Sequence, residues 1–105
     1  MSISENKADA ILSNFQGHKL LFLKDEKVFN SHDQPIASYN SNKLYNLSGQ
    51  HLATIDQGKI YNFDGQLFGT IDGDALVNFY GQKILKVNGS SETNCLKVAA
   101  YFFFM

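Results

Sequence analysis

The chain has 105 residues, 44% of them hydrophobic and 18% charged, with a net charge of −1, which fits one globular domain with a single core and leaves too little chain for two. All nine basic residues are lysines; without the planar fork that grips phosphates in bidentate fashion, composition argues against a nucleic-acid partner. The single cysteine, Cys95, excludes an internal disulfide, and no stretch reaches the roughly eighteen apolar residues of a membrane span, so a cytoplasmic protein in a reducing compartment is expected.

Residues 1–10, MSISENKADA, read as an N-terminal arm, with no basic segment leading into an apolar run. From residue 11 the chain falls into five lines of sixteen residues without an insertion: 11–26, 27–42, 43–58, 59–74 and 75–90. The fourth position of each line is Asn (Asn14, Asn30, Asn46, Asn62, Asn78), and the seventh is Gly except for Asp33. The eighth is Gln except for His18. Positions two (Leu12, Val28, Leu44, Ile60, Leu76) and ten (Leu20, Ile36, Leu52, Phe68, Ile84) are apolar throughout. Such self-similarity marks a repeat architecture. Sixteen residues holding two short runs around a turn make one β-hairpin.

Within a line, Asn62-Phe63-Asp64-Gly65 has the residue types of a type I turn closed by a left-handed glycine. That turn would set Asn62 opposite Gln66, Tyr61 opposite Leu67 and Ile60 opposite Phe68. A two-residue Asp-Gly turn is the alternative, and it would pair Ile60 with Gly69. Position thirteen (Leu23, Tyr39, Ile55, Ile71, Val87) is also apolar, yet strict alternation from position ten sends it outward. A β-bulge at positions eleven and twelve, such as Gly69-Thr70, would bring it back inside and bend the strand. A tight turn such as Gln57-Gly58 would then pair Ile55 with Ile60. Five bent hairpins in series give about ten strands, and a curling sheet removes its edges by closing. The expected fold is all-β with a short C-terminal helix: a closed or nearly closed meander, a barrel or rosette, around or against the apolar C-terminal segment.

The pattern ends at residue 91, where SETNCLKVAAYFFFM offers Glu92 at position two and no turn glycine. Ser91 followed by Glu92 reads as a helix N-cap with an acid in the first turn. The remainder is apolar nearly all round and so needs burial, most simply in the middle of the sheet. A terminal strand over 101–104 is the competing reading.

The recurring pattern of Ile60, Tyr61, Asn62, Gly65, Gln66 and Ile71 resembles the short bacterial hairpin repeats described as four-fold beta flower domains, most clearly over 27–90. The resemblance implies a repeat fold and no defined activity. A sheet closed around an apolar C-terminal helix is also similar in organisation to the tubby and scramblase-like barrels, although the missing arginines speak against phosphoinositide binding.

Two sets of residues are candidates for function. Asn14, Asn30, Asn46, Asn62 and Asn78, joined by Gln34, Gln50, Gln66 and Gln82, would form a polar ring near one rim that suits a small polar ligand; the alternative is that each Asn caps its own turn. The third column, Phe29, Tyr45, Tyr61 and Val77, faces outward in the expected register and offers an interaction surface, or else is covered by neighbouring side chains. His18, His32 and His51 fall near the same hairpin ends but at positions that point apart, and the aspartates fit no calcium-binding repeat. No nucleophile elbow, zinc motif or phosphate loop is present. The expectation is a non-catalytic module without cofactors, working through a protein partner or its own copy, with a small-ligand or lipid-binding β-barrel as the alternative.

Overall fold

The computed structural model describes residues 8–105, and residues 1–7 of the N-terminal arm lie outside them. Ten strands follow one another as β1 Ala10–Ser13, β2 Lys19–Lys24, β3 Lys27–Asn30, β4 Pro35–Asn40, β5 Lys43–Asn46, β6 His51–Asp56, β7 Lys59–Asn62, β8 Leu67–Asp72, β9 Ala75–Asn78 and β10 Lys83–Gly89. Each pairs antiparallel with its chain neighbour, and β1 pairs with β10 to close the barrel. Closure leaves no exposed edge. At the seam the Ser90 amide donates to the Asp9 carbonyl at 2.9 Å, where the other four connections at that end are two-residue turns.

Two kinds of turn define the two ends. At one end stand the Asn-x-x-Gly tips. In the tip at Asn62, the Gly65 amide donates to the Asn62 carbonyl at 3.0 Å and the Asn62 amide to the Gln66 carbonyl at 2.9 Å, with Gly65 at φ +86° and Asp33 taking the same role at φ +62°. At the other end are two-residue turns such as Gln57-Gly58, where both residues have positive φ, the hairpin geometry that matches strand twist.

Tyr61 faces Leu67 and Ile55 faces Ile60, as expected. The bulge lies elsewhere. Ile60 stands opposite Gly69 rather than Phe68, although the tip is the longer turn, because the extra residue is position ten and not positions eleven and twelve. The same shift recurs in all five hairpins. Positions ten and eleven are therefore both on the inner side. Position ten closes the tip end of the core with half-buried Leu20, Ile36, Leu52, Phe68 and Ile84. Position eleven lies deep in the lumen, and there Leu21 and Leu85 are replaced by Ala37, Ala53 and Gly69 on β4, β6 and β8. Small residues on those strands leave room for the plug. An added Cβ at Gly69 would lie 2.5 Å from the Val77 carbonyl oxygen and 3.0 Å from the Phe103 ring.

The plug is α1, Glu92–Ala100, continued by a 3₁₀ turn over Tyr101–Phe104. The helical alternative for 91–105 is the one adopted. Ser91 caps it, its Oγ accepting from the Asn94 amide at 3.1 Å. Six successive residues from Cys95 to Ala100 are buried, so the helix is enclosed on all sides. It starts beside the Gln57-Gly58 turn, where Glu92 nears Gly58, and runs toward the tips, where Phe103 and Phe104 pack on Phe68. Around it position two is completely buried, and Leu23, Tyr39, Ile55 and Val87 of position thirteen are buried with it. Among the described residues no helix is long and apolar enough to cross a membrane.

Candidate functional site

The five asparagines stand at the tips and spend their side chains locally. Asn62 Oδ1 accepts from the Asp64 amide at 2.9 Å and the Gln66 amide at 2.8 Å, while its Nδ2 donates to Gln66 Oε1 at 3.4 Å. Asn30, Asn46 and Asn78 repeat the arrangement with Gln34, Gln50 and Gln82. Asn14 does so with His18, whose Nδ1 lies 3.2 Å from Asn14 Nδ2. Each amide pair thus closes on its own hairpin, fixing the backbone that turns there.

Phe29, Tyr45, Tyr61 and Val77 lie on the outer wall, each half-buried. Cross-strand neighbours supply the cover: Tyr45 has the His51 ring at 5.5 Å, and Phe29 stands between Phe22 and Pro35. His51 in turn places Nε2 2.9 Å from the Ala53 carbonyl and 3.0 Å from Thr54 Oγ1. The three histidines are held in separate hairpins, and among the described residues no group of His, Cys, Asp and Glu side chains could hold a metal ion.

Where the lumen opens at the two-residue turns, one polar cluster ties plug to wall through Glu26 of an exposed turn. Lys97 is 8% exposed, and its ammonium donates to both Glu26 carboxylate oxygens at 2.9 and 2.7 Å. The same ammonium lies 5.2 Å from the Tyr39 ring centroid, and the Tyr39 hydroxyl donates to the Lys97 carbonyl at 2.9 Å. Burial, then the Glu26 carboxylate, pushes the Tyr39 hydroxyl well above the usual tyrosine range. Burial, then Glu92, likewise raises the Cys95 thiol, which keeps it protonated and a poor nucleophile. Every group in the Lys97 cluster is engaged in holding the helix.

The tips carry a feature that the repeat pattern had hidden. Among the described residues the large hydrophobics that stand exposed are Phe15, Leu47, Phe63, Phe79, Tyr80 and Met105. The first five occupy positions five and six of the tips, and Met105 follows the aromatic turn Tyr101–Phe104, which packs on Phe68. Position five is apolar in four of five lines, with Ser31 the exception. An apolar residue repeatedly placed in the middle of a solvent-facing turn was the available signal, masked by the more regular Asn and Gly on either side.

Five hairpins of one design, closed into a ring and filled by a C-terminal helix, define a small β-repeat barrel with structural amides at its turns. The family model of the 5-fold beta-flower protein matches residues 3–105. The chain belongs to that family, a close relative of the four-fold domains that its repeat resembles; with five lines of sixteen residues it has one petal more. Comparison with curated proteins and with solved structures returned no match.

Proposed function

We propose that this chain is a non-catalytic interaction module that binds protein through its outer surface. The observation that carries this reading is the filled lumen: Leu96, Val98, Ala99 and Ala100 are buried where a barrel that carries a ligand would keep a cavity. A lipid or small molecule could enter only if the helix left, breaking the Lys97–Glu26 pair and exposing the inner columns. The wall column of Phe29, Tyr45, Tyr61 and Val77 and the apolar tips are the surfaces available to a partner. Native mass spectrometry of the purified protein tests the reading. The bare chain mass, alone or in multiples, is expected; a small molecule released with the folded chain would overturn it in favour of a ligand-binding barrel.

A further inference from the structure

We infer that the tip end of the barrel is a docking face and that its partner is a second copy of this chain, joined tip to tip about a two-fold axis. The inference rests on the interaction reading above and assigns its surface and partner. The six exposed large hydrophobics of the described chain are gathered at this one end. Phe79 and Tyr80 lie against each other with ring centroids 4.1 Å apart and planes 33° apart, presenting an aromatic ledge. Within the ring of tips, Tyr101–Phe104 is only half-buried, so the centre of the face is apolar as well as its rim.

Area and charge select the partner. The molecule measures 36 × 32 × 22 Å, and its shortest dimension matches the length of its six- and seven-residue strands, roughly 20 Å. The ends are therefore the broad faces. An ellipse of 36 × 32 Å covers about 900 Å², so the end has room for the ~800 Å² that each subunit gives to a standard interface. The five tips contain no lysine and two aspartates, Asp33 and Asp64, with Lys19 and Lys83 at the adjoining starts of β2 and β10; at the opposite end Lys24, Lys27, Lys43 and Lys59 stand among Asp25, Glu26, Asp56, Asp72 and Asp74. Neither end is basic, so neither offers an anionic bilayer the polybasic patch that would draw it. A copy of the same face needs no charge complement: its apolar tips meet apolar tips, and every residue serves twice across the axis.

Sedimentation equilibrium from about 1 to 200 µM, a range that resolves micromolar dissociation constants, tests this on three variants beside the parent: F63S/F79S and Y80K at the tips, and Y45S/Y61S on the wall. The tip residues are largely solvent-exposed, so circular dichroism and melting should stay near the parent's. A dimer is expected, with its dissociation constant raised at least a hundredfold in F63S/F79S, since each substitution is felt on both sides, and raised in Y80K. Y45S/Y61S should leave it unchanged. A parent that stays monomeric, or a dimer that yields to the wall variant and not to the tip variants, would overturn the proposal. So would a monomer that pellets with phosphatidylcholine vesicles, which would make a bilayer the occupant. Those results leave the interaction reading standing unless a small molecule is also released in native mass spectrometry, which is how the two failures differ.

Discussion

Asn62 illustrates how much structure one side chain sets. Its single Oδ1 accepts two backbone amides, at 2.9 and 2.8 Å, and the backbone it holds brings Gly65 to φ +86°. The same chemistry was legible in the sequence because it is local: Asn, two residues, Gly, and a following Gln need no tertiary information. Gly65→Val should cost about 1–3 kcal/mol, because a β-branched residue resists positive φ. Gly65→Asp should cost less, since Asp33 already occupies the equivalent place at φ +62°. Thermal melting of the two variants checks the order; equal melting temperatures for both and the parent would contradict the turn assignment. The bulge at position ten was not legible in this way. Phe68 and Gly69 both face inward through a shift that all five hairpins share, and what position eleven meets inside is the plug: the ring of Phe103, 34 positions later in the chain, lies against Gly69. Periodicity within one repeat carries no record of such a contact.

The helix is where element and core depend on each other. Its N-cap and apolar composition announced it, but the buried Lys97 did not look like a core residue, and its partner Glu26 lies in a turn of the first repeat. Removing residues 95–105 would expose the buried columns at positions two, eleven and thirteen. The truncated chain should aggregate and lose cooperative melting by circular dichroism; a soluble truncation with a sharp transition would show that the sheet holds without its plug. Tyr39 gives the same element a pH signature. Its folded-state pKa is raised by burial and by the Glu26 carboxylate, so the neutral hydroxyl contributes stability that is fully present below the unfolded pKa, about 10. As pH rises beyond that value the unfolded chain ionises first, and stability falls until the folded pKa is passed. Denaturant melts between about pH 8 and 11 should show this alkaline decline in the parent and a weaker one in Tyr39→Phe. At neutral pH that variant should lose about 1 kcal/mol with the bond to the Lys97 carbonyl. Parallel decline in both proteins would mean that Tyr39 is not the group responsible.

For the molecule as a whole, the repeat count and ring closure could be read directly, since five uninterrupted lines of sixteen residues specify ten strands and a curling meander must dispose of its edges. The exposed tips escaped that reading because their meaning appears only when the hairpins are set side by side and point the same way. The repeats also differ from one another, and the differences matter to the plug. Five identical sectors would offer a helix five equivalent azimuths. Glu26 alone brings a carboxylate to Lys97, Tyr39 alone in its column brings a hydroxyl to the helix backbone, and Gly69 alone in its column lacks a side chain where Phe103 lies. Together these departures work as a key, indexing the helix to one orientation. Divergence among the lines is thus a source of uniqueness: a barrel rebuilt from five copies of residues 59–74 would keep its wall and lose the reason for its plug to choose a direction.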